Sequence, residues 1–98
     1  MTDMKYNLPE RVVNDITVFA HRHDVQKVVL FGSRARGTHT EKSDIDLAVS
    51  GGDFEAFYWD IKENAHSLLS FDIVDSMGVS ADLKEEIEKD GITVYEKT

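Results

Sequence analysis

Between Val28 and Val49 the chain changes character three times. Val28-Val29-Leu30-Phe31 is a short apolar run of the kind a buried strand uses. It stops abruptly at Gly32-Ser33. A polar segment, Arg34 to Ser43, follows, and then Asp44-Ile45-Asp46-Leu47-Ala48-Val49, in which acidic and apolar residues alternate before the run closes on apolar and small ones. Successive side chains of a strand point to opposite faces. Ile45, Leu47 and Val49 are therefore expected to face a core. Asp44 and Asp46 then share the other face, about 7 Å apart along the strand. Whatever sheet this chain builds must carry two carboxylates side by side.

Such a pair is self-repelling unless a positive charge sits between its members, and a hard divalent cation with oxygen ligands fits best. Mg²⁺ is commonly held by one or two carboxylates together with substrate phosphates. The other end of the stretch offers a place for those phosphates. Gly32 allows a sharp turn and a close backbone approach to a ligand. Ser33 adds a hydroxyl and an N–H. A short helix starting at Arg34 to Arg36 would aim free N–H groups at an anion, and Arg34 and Arg36 carry charge suited to phosphate oxygens. A phosphate cradle is thus followed by a metal-holding strand.

Gly32-Ser33, ten residues, then Asp44-x-Asp46 resembles the signature of nucleotidyltransferases with the DNA polymerase β fold. The wording GSRARG…SDIDL is most similar to the minimal nucleotidyltransferases, or MNT proteins. These are typically encoded beside a HEPN-domain partner, and some act as antitoxins. The family has a third carboxylate on a later strand, in an apolar–acid–apolar context. Phe71-Asp72-Ile73 supplies it here. An Asp in an otherwise apolar strand also needs a reason, since burying an unpaired charge is costly. The resemblance covers Val28 to Asp75, about half the chain.

The rest of the chain sets limits. Its 98 residues suit one domain, residues 1–98, with a modest core. It has no cysteine, hence no disulfide and no zinc–thiolate site, which fits a cytoplasmic protein. No apolar run is long enough to span a membrane, and the N-terminus lacks a signal-peptide core. With 19 acidic against 11 basic residues the formal net charge is −8, which disfavours long nucleic acid as the main substrate.

The apolar spacing predicts a helix over Asn7 to His23, with Asn7 as N-cap and Pro9 in the first turn. His21 and His23, two apart, diverge on a helix and read as surface residues. Val25 to Phe31 is the first strand, and Thr38 to Ser43 is a polar loop. His39 and Lys42 in that loop fit solvated residues better than phosphate ligands. Asp53 caps a helix expected to run to Leu69, with Trp59 and His66 off its apolar stripe, where Trp59 is a candidate partner surface. Ser70 to Asp75 is the third strand, and Asp75 fits a strand-end cap or ion pair. Ser80 caps a last helix that Gly91 ends. Ile92 to Glu96 is a short strand at a sheet edge. The expected fold is α/β (α+β): a mixed sheet of about four strands with helices packed on it. That agrees with the polymerase-β-like palm the resemblance implies.

The resemblance further implies transfer of AMP from ATP to an acceptor hydroxyl, with two Mg²⁺ ions. Asp44, Asp46 and Asp72 would be the catalytic, metal-binding acids. Gly32, Ser33, Arg34 and Arg36 would bind the nucleotide. No acceptor-holding domain is recognisable, so a HEPN protein or a homodimer partner is expected to supply it. Two other readings stay open: an antitoxin that neutralises a HEPN partner by contact alone, and a small-molecule adenylyltransferase of the aminoglycoside-modifying kind.

Overall fold

The computed structural model describes residues 4–5, 8–65 and 69–97. Two short strands, β1 (Met4–Lys5) and β2 (Leu8–Pro9), precede helix α1 (Glu10–Arg22). Then come β3 (Lys27–Phe31), α2 (Ser33–Arg36), β4 (Ile45–Ser50), α3 (Phe54–Asn64), β5 (Phe71–Asp75), α4 (Ala81–Asp90) and β6 (Ile92–Glu96). The main sheet has the order β5-β4-β3-β6. β3 pairs antiparallel with both β4 and β6, while β4 and β5 run parallel. This is the expected mixed sheet of four strands, with β6 at an edge.

The sheet is unequal on its two faces. Val28, Leu30, Ile45, Leu47, Val49, Phe71 and Ile73 point to one side and are fully or almost fully buried. They pack with Val12, Ile16 and Phe19 of α1 and with Phe57 and Ile61 of α3 in one apolar core. The opposite face is covered by α4, which packs on β3 and has no fully buried residue. The alternation in β4 therefore sorts its side chains as expected: Ile45 and Leu47 go inward, and Asp46 stands on the thinly covered side.

Helix α1 begins three residues later than the sequence suggested. Pro9 has ψ 141° and acts as N-cap without a side-chain cap. A residue before proline is pushed out of the α region, so Leu8 stays extended, pairs with Lys5 and is buried in the core. The expected cap, Asn7, lies outside the described residues. Helix α3 also stops early. Asp53 caps it as expected, accepting from the Ala56 N–H at 3.1 Å. It ends at Asn64, because Ala65 is extended and Leu69-Ser70 lead into the sheet, where the Ile45 N–H donates to the Ser70 carbonyl at 2.9 Å. His66 lies outside the described residues.

His23 is not a plain surface residue. Its Nε2 lies 2.7 Å from Asp60 Oδ2, and Arg22 Nη1 donates to the same oxygen at 2.9 Å. The His23 hydrogen bond is the main reason the Asp60 carboxyl is held below its ordinary range. This cluster ties the end of α1 to α3, while His21 is exposed as expected. Ser80 caps α4, accepting from the Leu83 N–H at 3.2 Å. Gly91 follows α4 in extended geometry. Its lack of a side chain matters for space, because a Cβ there would strike the Ile87 carbonyl and Val29. Among the described residues no helix is long and apolar enough to cross a membrane.

Candidate functional site

The acids meet where three strand ends coincide. β3 finishes at Phe31, directly opposite Asp46 of antiparallel β4. Parallel β5 sets Asp72 directly opposite Asp46 on its other side. Paired residues of neighbouring strands project to the same face, with backbones about 4.8 Å apart. Asp46 is thus flanked by Phe31 and Asp72, and Asp44 stands one residue before β4. Asp44 and Asp72 are exposed, whereas Asp46 is half-buried.

Gly32 sits against this carboxylate. It has φ 76° and ψ −155°, a combination essentially reserved for glycine. A Cβ at Gly32 would collide with the Asp46 carboxylate, with the Cγ only 3.1 Å away. The turn leads straight into α2, whose first turn closes on the Gly32 carbonyl through the Ala35 and Arg36 N–H groups, each at 3.1 Å. The bare α-carbon of Gly32, the start of α2 at Ser33 and the acid pair therefore share one corner of the sheet.

The charges there act on one another. The Asp46 carboxyl is pushed above its ordinary 3.8, first by burial, then by the negative charges of Asp72, Asp44 and Glu86, while Arg36 pulls it down. The residues that the sequence pairs by pattern are thus electrostatically coupled in space. Glu86, from α4, joins them.

The two arginines do different things. Arg34 is 2% exposed. Its Nε donates to the Ser43 carbonyl at 3.1 Å, and one terminal nitrogen reaches the Thr40 and Glu41 carbonyls at 3.4 and 3.3 Å. It ties down the loop that delivers Asp44, so its visible work is structural, apart from the phosphate role expected of it. Arg36 is exposed and lies 3.3 Å from Glu86 Oε2, close enough to Asp46 to favour its ionised form. Ser43 stiffens the same loop, accepting from the Thr40 N–H through its hydroxyl at 2.9 Å.

The donor set suits Mg²⁺: hard carboxylate oxygens beside a backbone with no side chain in the way. Among the described residues no three acid or imidazole side chains form a ready-made metal cage. Mg²⁺ keeps several waters and is seldom enclosed by protein alone, so one or two of these carboxylates could hold it only together with substrate phosphates.

His39 and Lys42 belong to the loop that precedes Asp44. Lys42 is exposed in the Thr40–Ser43 turn. His39 lines a cleft of about 420 Å³ with Pro9, Arg34, Thr40, Glu41 and Leu69, and its buried Nδ1 has no hydrogen-bond partner among the described residues. None of the three acids borders that cleft. Sequence reasoning missed Glu86, one acid among several on an acidic helix, and Phe31, whose pairing with Asp46 depends on register. Strand register exposes Phe31, and the packing of α4 on the sheet exposes Glu86.

Comparison with known proteins bears on the family and the fold. Residues 14–98 match the family model described as Polymerase beta, Nucleotidyltransferase. A stretch of 31 residues is 52% identical to a Methanocaldococcus jannaschii protein provisionally named a protein adenylyltransferase, covering 32% of this chain and 31% of that one. The match thus spans about a third of that relative's length. Among solved structures, the chain is similar to one in a toxin–antitoxin complex crystallised with AMP-PNP, with TM-score 0.71 and 27% identity over 88% of this chain and 74% of that one. It also shares the fold of a chain in the complex of an MNT antitoxin with a tri-AMPylated Shewanella oneidensis HEPN toxin, with TM-score 0.64 and 22% identity over 90% of this chain and 72% of that one.

Proposed function

Since this chain belongs to the polymerase β nucleotidyltransferase family, we propose that it transfers AMP from ATP to a hydroxyl on a HEPN-domain partner protein and thereby acts as an antitoxin. The observation that carries this reading is the register of Asp46 with Asp72 on one side and the bare backbone of Gly32 against the Asp46 carboxylate on the other. A surface that only bound a partner would have no need to hold mutually repelling carboxylates beside a glycine turn.

Asp44, Asp46 and Asp72 would hold Mg²⁺, two ions in the full arrangement, and the metal would neutralise charge on the phosphates and the attacking oxygen. Gly32 and Ser33 offer backbone N–H groups to the triphosphate, and Arg36 offers it a cation. Arg34 keeps the loop before Asp44 in register. Asp72, exposed on edge strand β5, faces the side open to an acceptor. The acceptor oxygen attacks the α-phosphorus and its proton passes to the Asp72 carboxylate. The bond from the α-phosphorus to the bridging oxygen breaks, and pyrophosphate leaves with the electron pair. Such chemistry rests on positioning and charge stabilisation more than on covalent catalysis. Named relatives and neighbours support the acceptor class: a protein adenylyltransferase by name, and an AMPylated HEPN toxin held by its antitoxin.

The test is incubation with labelled ATP, Mg²⁺ and a HEPN-domain partner protein. Label on a hydroxyl of that protein, a tyrosine above all, is the expected result. Asp44→Ala with Asp46→Ala should abolish labelling while the complex still forms. Tight binding and neutralised toxicity without label from the wild type would favour neutralisation by contact. Label on a free aminoglycoside-like compound would favour a small-molecule transferase.

A further inference from the structure

Glu86 has no part in the three-acid pattern, yet it reaches the same corner. It is one of the charges acting on Asp46, and its Oε2 lies 3.3 Å from Arg36 Nη1. Both side chains of the pair are about two-fifths exposed, at 42% and 40%. Solvated pairs of this kind are weak and easily exchanged for a better partner. The helix that carries Glu86 is loosely held as well. α4 buries no residue fully; its inner residues Leu83 and Ile87 are only half-buried. The exposed pair with Arg36 bridges α4 to α2, the short helix that opens at the Gly32–Ser33 turn.

We propose that Glu86 is a built-in competitor for Arg36: it holds the guanidinium while the site is empty and gives it up to the nucleotide's phosphates. The inference rests on the nucleotide-site reading above and adds a residue to it. A triphosphate outcompetes one carboxylate because it presents several charged oxygens, which a guanidinium can engage two at a time. Glu86 is then left without its partner in a field of like charge. The helix that bears it loses an anchor to α2. Glu86 is a positioning residue, acting through Arg36, and α4 reports whether the site is filled.

The competition predicts that removing the competitor improves binding. Glu86→Gln should tighten binding of AMP-PNP with Mg²⁺ by roughly three- to fivefold, the scale of a solvated ion pair. In an Arg36→Gln background most of that gain should disappear, because there is no cation left to compete for. Hydrogen exchange gives a second readout. In the wild type, AMP-PNP with Mg²⁺ should speed exchange of the α4 amides while slowing exchange around Gly32 to Arg36. In Glu86→Gln, α4 should exchange fast with or without nucleotide.

Unchanged affinity in Glu86→Gln would make the contact a mere surface bridge and overturn the proposal. Weaker binding would overturn it too, and would move Glu86 to the side of the metal-holding acids. Slower α4 exchange on nucleotide addition would contradict the released anchor. If the wild type binds no nucleotide at all, the site reading itself falls. If the wild type binds and only the Glu86 effects are missing, that reading stands and this one does not.

Discussion

Asp46 is the residue on which local forces converge. Its carboxyl is raised above 3.8 by burial and by Asp72, Asp44 and Glu86. A raised folded value has a definite sign: the native state binds the proton more tightly than the unfolded chain does. The associated stability is fully present below 3.8 and is lost as pH rises through the folded value. At neutral pH ionised Asp46 therefore weakens the fold. Asp46→Asn should melt higher than wild type at pH 7, and the advantage should vanish once the pH is below 3.8, as followed by thermal melts across that range. The same variant should lose activity by on the order of 10²–10³, the scale of removing one charge-stabilising group from an active site. At Gly32 stability and function should fall together. Its φ and ψ are glycine-only and its space is taken by Asp46. Gly32→Ala should lower stability by about 1–3 kcal/mol and also abolish nucleotide binding, with circular dichroism to separate the two. That Gly32 and the acids are candidates for one site was legible in the sequence, because Gly-Ser, the spacing and the alternation are local patterns. That a Gly32 side chain would strike Asp46 was not, because the clash depends on how β3 and β4 pair.

At the scale of elements, the loop between α2 and β4 gives one charged residue a structural part beside the phosphate role expected of it. Arg34 stands in the sequence as a phosphate ligand equal to Arg36. In the fold it is buried and bound to the carbonyls of Thr40, Glu41 and Ser43, whereas Arg36 stays at the surface near the acids. A planar fork can serve several carbonyls at once and an ammonium cannot. Arg34→Lys should therefore fail to substitute. We expect a loss of about 1–3 kcal/mol, from hydrogen bonds to these carbonyls that an ammonium cannot all replace, and faster exchange of the Ser43 and Ile45 amides, whose partners are Thr40 and Ser70. An unchanged melting temperature would contradict this role. Helix limits were less legible than helix existence. The apolar stripe of α1 is plain, but Pro9 acts as its cap because Leu8 is held extended against β1, a contact between segments that no periodicity records. α3 ends at Asn64 because the chain must turn toward β5. The stripe through Leu69 continues past the end because Leu69 still packs on the core from outside the helix.

At the scale of the whole molecule, net charge decides how the site can work. A chain at −8 disfavours approach of a polyanionic nucleotide, and the three acids add to that locally. ATP without a divalent cation should accordingly bind poorly. On the proposed reading the carboxylates would change with Mg²⁺ from repelling groups to shared ligands, and binding only the native state would raise its stability. At free ligand about a hundred times Kd the gain is about 2.7 kcal/mol. For a domain of this size, that corresponds to a rise of roughly 10–20 °C in melting temperature. Mg²⁺ alone, or ATP with a chelator, should give a much smaller rise, because each supplies only half of the charge pattern. Asp46→Asn should start from a higher melting temperature and gain less from the pair, so the two curves converge as ligand is added. Parallel curves would mean that nucleotide and metal bind away from Asp46. That outcome would remove the carboxylate corner from the chemistry while leaving the fold, and the family to which it belongs, as they are.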